Sequence, residues 1–294
     1  MQDLLKNFVD THIHAGPSLM PRDVDAWEMA ELAQQGAFRA IVIKDHHVPT
    51  MAVAKIIEDH LAPRNLSVFG SIALNNSVGG INPKAVEVAL SLGARVVWMP
   101  TISARNHLDR HRSPGIKFPS SKVENSIIAE RPLSCLDENG RLSHAASEVL
   151  EVMAAHRGAV LATGHLDRSE VDILVRAAVD AGLEKIVVTH PHYLVGASLE
   201  DMQSWRRLGA YLEFTAIISV PSSPLYCRPV EEVSSILKRL GAEQVVLSSD
   251  YGIAGAGGPL QGMLEFVKLL AEAGLKAADL ELMTVQNPAE LIGI

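Results

Sequence analysis

Short apolar runs alternate with amphipathic stretches along most of the chain. The runs at 40–43 and 159–163 are almost continuously hydrophobic and lack the polar alternation of a strand that faces water on one side. Such runs are typical of parallel strands buried on both faces. Between the runs, apolar residues recur three or four positions apart, as at 23–35, and this spacing predicts helices.

Eight apolar runs predict eight strands. The first ends in the sequence DTHIH at His14, and the others cover 40–43, 68–74, 95–99, 159–163, 185–189, 210–214 and 244–248. Helices are predicted at 23–35, 50–60, 83–92, 145–156, 169–181, 199–208, 230–240 and 259–273, with a short last one near Pro288. Eight strand–helix units in one chain indicate a closed (β/α)8 TIM barrel. An open doubly wound sheet is the alternative.

The segment 100–143 interrupts this rhythm. It has little sustained period and contains several prolines and glycines, so we interpret it as a loop insertion after strand four within a single domain spanning 1–294. Its basic residues could form a lid that favours an anionic substrate, and an ordinary solvated loop is the alternative. These basic residues are Arg105, His107, Arg110, His111, Arg112 and Lys117.

Composition narrows the classes of partner. The net charge of −8 gives no reason to expect binding to nucleic acid or to an anionic membrane, so a small-molecule substrate is expected, and homo-oligomerisation is left open. Cys135 and Cys227 lie far apart and predict neither a disulfide framework nor a thiolate metal site, which fits a reducing cytoplasm. We expect no signal peptide and no membrane span, because no apolar run is long enough.

The DTHIH sequence is the first candidate for chemistry. In an extended strand, residues two apart project to the same side, so His12 and His14 should present two imidazoles to one point, with Asp10 on the same face. Two converging imidazoles suit a divalent metal such as zinc, which usually takes at least three protein ligands. Two histidines without a metal are the alternative.

Other polar residues follow the predicted strands. A barrel carries its active site at the carboxyl ends of its strands, so these side chains should meet at one rim. They are Lys44, His46 and His47 after strand two, His165 after strand five, His190 and His192 after strand six, Glu213 near the end of strand seven, and Asp250 after strand eight.

Together these motifs resemble the metal-binding pattern of the amidohydrolase superfamily. The resemblance lies in DTHIH, in His165, in the sequence THP with His190, in SSD with Asp250, and in the tail NPAELIG. It implies a distorted barrel that holds one or two divalent metals and usually catalyses hydrolysis. Zinc is the expected ion, with manganese or iron as alternatives.

The resemblance also implies roles for single residues. His12, His14 and Asp250 would hold a first metal, and His165 would either join them or hold a second metal with His190. Binuclear members often bridge the metals with a carboxylated lysine or an acid, yet strand four ends in WMPT. We therefore favour a mononuclear site.

The expected chemistry starts from metal-activated water. Asp250 is the candidate general base, with a helix N-cap as its alternative role, and His190 would orient the water or stabilise the oxyanion. Substrate-binding roles are assigned to Lys44, His46, Arg105 and Glu213. The glycine-rich stretch 252–258 is a weak candidate for binding phosphate on its amides.

The predicted function is metal-dependent hydrolysis of a small, anionic amide, lactone or ester. One alternative is a metal-dependent decarboxylase or hydratase that acts on an unsaturated carboxylic acid. A second alternative is a barrel that binds a metal without catalysis.

Overall fold

The computed structural model describes residues 5–60, 65–111 and 127–294. Its eight strands are all parallel and are hydrogen-bonded in chain order, which confirms the (β/α)8 barrel over the doubly wound sheet. The strands are β1 Val9–His14, β2 Ala40–Lys44, β3 Ser67–Ala73, β4 Ala94–Trp98, β5 Val160–Ala162, β6 Ile186–Thr189, β7 Tyr211–Thr215 and β8 Val245–Ser248.

The first and last strands meet at the carboxyl-terminal rim. Just beyond β8, the N–H of Asp250 donates to the carbonyl of His12, and the N–H of His14 donates to the carbonyl of Tyr251, both at 2.8 Å. Gly252 permits this approach, because a Cβ at that position would lie 1.8 Å from the His14 carbonyl oxygen. The barrel is therefore closed at the end where the predicted site lies.

The helices follow the predicted order. They are α1 Ala26–Gln35, α2 Met51–His60, α3 Pro83–Ser91, α4 Arg105–Arg110, α5 His144–Ala155, α6 Arg168–Asp180, α7 Leu199–Arg207, α8 Val230–Leu240, α9 Pro259–Glu272, α10 Ala277–Glu281 and α11 Asn287–Ile292. Helix α1 begins later than predicted because Asp25 and Glu28 form a capping box at its start. Among the described residues, no helix has the length and apolar character needed to cross a membrane.

Two apolar layers hold the barrel together. The inner layer fills the ring of strands and ends near the rim with the fully buried Trp98. The outer layer lies between strands and helices and includes Ile41 and Ile43. Helix α11 adds Ala289 and Ile292 to the inner layer. The packed interior leaves the rim as the place where polar side chains can gather.

The segment 100–143 contains the short helix α4, which the sequence pattern did not predict. Arg112 and Lys117, two of its predicted basic residues, lie outside the described residues. The side chains of Ile102 and His107 line a cavity at the carboxyl-terminal rim of the barrel. The beginning of this segment therefore forms part of the wall of the site.

Candidate metal centre

Strand β1 presents its two histidines through an irregular register. Asp10 pairs with Ile41 whereas Ile13 pairs with Ile43, so β1 carries one extra residue between these two pairs. Bulges of this kind redirect side chains near active sites. The strict two-residue alternation that predicted Asp10 on the same face as His12 and His14 therefore does not hold along β1. Its carboxylate accepts instead from the backbone N–H groups of His12 and Ser249, at 3.2 and 3.0 Å.

Three histidines converge on the carboxylate of Asp250. The Nε2 atoms of His12 and His14 lie 2.9 and 3.1 Å from its Oδ1 atom, and Nε2 of His190 lies 3.5 Å from its Oδ2 atom. In His12, His190 and Asp250, the possible ligand atoms all lie within 4.8 Å of one another. Strands β1, β6 and β8 thus supply one compact cluster, which we call the rim cluster: His12, His14, His190 and Asp250.

The hydrogen bonds of the histidines test whether this cluster fits a cation. Nδ1 of His14 lies 2.8 Å from the carbonyl of Lys44, and Nδ1 of His12 lies 3.2 Å from Oε1 of Glu213. Both acceptors require the proton on Nδ1, which leaves the Nε2 lone pairs facing Asp250, and Nζ of Lys44 also lies 2.9 Å from Nε2 of His12. Metal-bound histidines commonly have such partners on the other ring nitrogen. Lone pairs this close to a carboxylate repel one another unless a proton or metal ion lies between them, so the donor set fits a divalent cation.

The electrostatics of the cluster also favour a positive charge. Burial works against a charge on His12, but Asp250 and Glu213 outweigh it and raise the pKa of the His12 imidazole. The pKa of His14 falls to about 3 because of burial and the nearby Arg22 guanidinium. Burial would raise the pKa of Asp250, yet His12 and its other partners hold it well below its usual range. Asp250 is therefore ionised at neutral pH.

Two members of the rim cluster have left-handed backbone conformations. His190 has φ 50° and Asp250 has φ 55°. For residues other than glycine, this region costs on the order of 1 kcal/mol and is enriched at functional sites. His190 immediately precedes the π-helical turn Pro191–Val195, and its carbonyl accepts from the N–H groups of that turn. The surrounding backbone thus fixes the unusual conformation of His190.

His165 lies beside the rim cluster. Its ring centroid is 5.7 Å from that of His190, and its Nδ1 atom lies 2.9 Å from Nδ1 of His107 on α4. Gly164 allows the turn into His165, because it has φ 63° and a Cβ there would lie 2.3 Å from the Met99 carbonyl oxygen. The structure therefore brings His165 to the cavity together with an imidazole partner from the segment 100–143.

The residues predicted to bind substrate lie in different environments. Lys44 and His46 line the cavity. Glu213 is 1% exposed and lies beneath His12, where it also accepts from the Ser248 hydroxyl at 2.7 Å. Arg105 is exposed and is absent from the cavity wall formed by the described residues. Glu213 is thus placed to orient His12, and the substrate-binding roles of Glu213 and Arg105 stay predictions.

Lys44 projects into the rim cluster itself. Its Nζ atom lies 2.9 Å from Nε2 of His12 and 4.2 Å from the ring centroid of Trp98. Burial lowers the pKa of this fully buried amine to about 8. Among the described residues, no ion pair joins Lys44 to Asp45, which lies instead beside Arg22 and accepts from Ser18.

A cavity opens above the rim cluster. Its remaining wall is largely apolar and is formed by Met20, Ile102, Tyr193, Leu194, Ile217, Ile218, Leu225 and Ile253. Apolar walls around a few convergent polar groups are typical of small-molecule sites. Arg22 also lines this cavity, and no periodic signal in the sequence pointed to it.

The glycine-rich stretch 252–258 has a structural role. The N–H of Ala254 donates to the carbonyl of Pro21 at 3.0 Å, and the N–H of Gly255 donates to the Asp23 carboxylate at 2.9 Å. These amides are already bonded, which argues against phosphate binding on them. The stretch instead fastens the loop that carries Arg22.

Solved structures of other proteins share the fold of this barrel. One similar structure is an amidohydrolase from Pseudomonas aeruginosa, with TM-score 0.63 and 11% identity over 99% of this chain and 97% of that chain. Another is a mutant organophosphorus hydrolase from Deinococcus radiodurans, with TM-score 0.57 and 14% identity over 99% and 94%. A third is N-acetyl-D-glucosamine-6-phosphate deacetylase from Mycobacterium smegmatis, with TM-score 0.55 and 17% identity over 98% and 76%. This chain therefore shares its barrel fold with these hydrolase structures, as the sequence predicted.

Residues 7–213 match the model of a family described as "Family of unknown function (DUF6282)", and the chain belongs to this family. No curated protein matches the sequence. The family match includes His12, His14 and His190 and ends before Asp250.

Proposed function

We propose that this protein is a metal-dependent hydrolase whose rim cluster holds one divalent ion. The observation that carries the proposal is the convergence of the His12 and His14 lone pairs on Asp250 while both Nδ1 atoms are occupied by acceptors. A divalent ion bound at such a site supplies hydroxide at neutral pH and polarises a carbonyl oxygen. The amidohydrolase-type fold of the chain supports the same conclusion.

The residues of the chain divide the remaining work. Ionised Asp250 accepts the proton of the attacking water and returns it to the leaving group. His190, whose Nε2 atom is 3.5 Å from Oδ2 of Asp250, stands where it can complete the metal site or orient the water. His165 lies one ring farther out, so we assign it to the substrate side of the cavity. The apolar wall excludes bulk water from the reacting bond.

Metal analysis combined with an activity panel tests this proposal. His14→Ala should lower bound zinc and turnover together, whereas His60→Ala, at an exposed site on α2, should change neither. Asp250→Asn should reduce turnover far more than folding stability. Unaltered metal content in both His12→Ala and His14→Ala would refute the site.

The substrate panel separates hydrolysis from the alternatives predicted from the sequence. Lactones, esters and cyclic amides should open with consumption of water. Release of CO2 from an unsaturated acid would favour the lyase, and metal binding without turnover would favour a binding protein. Zinc rather than manganese or iron, closure of 100–143 as a lid, and the cytoplasmic location remain predictions.

A further inference from the structure

Arg22 is a buried cation whose hydrogen-bonding capacity is largely unused. Its side chain is 3% exposed and lines the cavity above the rim cluster. Among the described residues, its Nε and Nη1 atoms are buried and have no hydrogen-bond partner. A guanidinium is always charged and presents five N–H donors, and buried donors without acceptors are costly. Arg22 therefore brings to the cavity wall a guanidinium with two donor atoms, Nε and Nη1, that lack an acceptor among the described residues.

The carboxylate nearest to Arg22 does not satisfy it. Oδ2 of Asp45 lies 3.6 Å from Nη2 of Arg22, beyond good hydrogen-bonding distance. The Asp45 oxygens instead accept from the Ser18 hydroxyl at 2.5 Å and from the N–H groups of His47 and Val48 at 2.8 and 3.2 Å. Asp45 thus offsets part of the charge of Arg22. The Nη2 atom also lies 3.3 Å from Nδ1 of His14 and 3.6 Å from Sδ of Met20, so Nε and Nη1 are the donor atoms left without an acceptor among the described residues.

The loop that carries Arg22 is held on both sides. The N–H of Gly16 donates to the carbonyl of Val24 at 2.9 Å. From the other side, Ala254 and Gly255 bond to Pro21 and Asp23, the two neighbours of Arg22 in the chain. A guanidinium fixed in this way loses little conformational entropy when it binds a ligand, which is the condition for a specific site.

We propose that Arg22 binds a carboxylate of the substrate, and that the substrate is a small organic acid with an apolar portion. Among the described residues, Arg22 and Lys44 are the only arginine or lysine side chains in the cavity wall. The single Nζ atom of Lys44 is within 2.9 Å of His12, whereas Arg22 contacts His14 through Nη2 and keeps Nε and Nη1 without an acceptor. Arg22 is therefore the anchor for a negative charge, and the apolar wall takes the rest of the molecule. The assignment of a hydrolysable substrate rests on the proposed function, whereas carboxylate binding by Arg22 does not.

The cavity favours a carboxylate over a phosphate ester. One guanidinium matches one carboxylate in charge and in planar geometry. The glycine-rich stretch, the other candidate for binding phosphate, has its amides at Ala254 and Gly255 bonded to the Arg22 loop. Arg105, which was expected to attract an anion, is exposed and lies outside the cavity wall.

Binding of hexanoate to metal-free protein tests the anchor separately from catalysis. Hexanoate should bind in a calorimetric titration, and hexanamide, of similar size but uncharged, should bind about tenfold or more weakly. Arg22→Met should weaken hexanoate about 10- to 100-fold, and Arg22→Lys should restore part of the loss. Arg95→Met, which removes a half-buried arginine on β4 outside the cavity, should leave hexanoate affinity unchanged. Circular dichroism must show that each variant is folded.

The outcomes separate the two proposals. Equal hexanoate affinity in Arg22→Met and in the unaltered protein would overturn the proposal that Arg22 is the anchor. Loss of hexanoate binding in Lys44→Met but not in Arg22→Met would overturn it as well. If the rim cluster binds no metal but hexanoate binding still depends on Arg22, the hydrolase proposal fails and the anchor stands. In active enzyme, Arg22→Met should raise KM for a lactone that carries a carboxylate about 10- to 100-fold. For the analogue in which a hydroxymethyl group replaces that carboxylate, KM should change by no more than about twofold.

Discussion

Glu213→Gln is the sharpest test of how the rim cluster is tuned. The carboxylate accepts from Nδ1 of His12 at 3.2 Å and from the Ser248 hydroxyl at 2.7 Å. Glutamine has the same shape and can still accept from His12, so the substitution removes charge and leaves the packing intact. A hydrogen bond to a charged group contributes about 1.5–3 kcal/mol, and a neutral one about 0.5–1.5 kcal/mol. The difference of about 1–2 kcal/mol corresponds to roughly 5- to 30-fold weaker metal binding.

Competition with a chromophoric chelator at neutral pH measures this change. Glu170→Gln is the matched control, because Glu170 is equally buried but accepts from Ser134, Cys135 and Asp167 outside the cavity wall. Zinc affinity should fall in Glu213→Gln and stay unchanged in Glu170→Gln. Equal zinc affinity in the two variants would show that the Glu213 carboxylate does not support the His12 ligand.

Three further predictions follow from buried groups at the rim. Burial raises the pKa of Asp10 to about 7, so the metal-free protein should lose stability as pH rises from about 4 through 7. Urea unfolding should show a loss of up to about 4 kcal/mol relative to Asp10→Asn across this range. Parallel pH profiles of the two proteins would contradict this prediction. Lys44→Met should tighten zinc binding roughly tenfold at neutral pH, because it removes a cation beside His12. This gain in affinity should vanish above pH 8, where Lys44 of the unaltered protein loses its proton. Weaker zinc binding in Lys44→Met would mean that Lys44 supports the ion. Gly252→Ala should lower the free energy of unfolding by about 3 kcal/mol or more, because the added Cβ would meet a backbone carbonyl. Gly257→Ala, at a position with open space around it, should lower it by about 1 kcal/mol. Equal losses in the two variants would refute the argument from close approach.

The strands and the strand-end residues were predictable because both follow from local patterns. Continuous apolar runs such as 40–43 mark buried parallel strands, and polar residues directly after them must lie on the rim of a closed barrel. His190 and Asp250 could be placed at the rim in this way, although the sequence does not give the distance between their side chains. Their left-handed backbone conformations could not, because those conformations depend on hydrogen bonds made after the strands have assembled.

Arg22 and His107 were harder to place because each belongs to an irregular segment. The position of Arg22 is set by hydrogen bonds from Ala254 and Gly255, more than two hundred residues away in the chain. His107 depends on a six-residue helix inside a segment without sustained period. Glu213 was placed at the correct strand end, but only the packed structure shows that its carboxylate lies below His12.

The seam between β8 and β1 has a consequence for synthesis. On the proposed ligand set, the earliest and latest ligands of the chain, His12 and Asp250, become neighbours only when the ring closes, through the bond from the Asp250 amide to the His12 carbonyl. A nascent chain still attached to the ribosome before residue 250 has emerged would have no complete cage, so capture of the ion would be a late, post-translational event. Metal supply would then affect the abundance of the mature protein, because an ion that binds only the closed ring stabilises it by mass action.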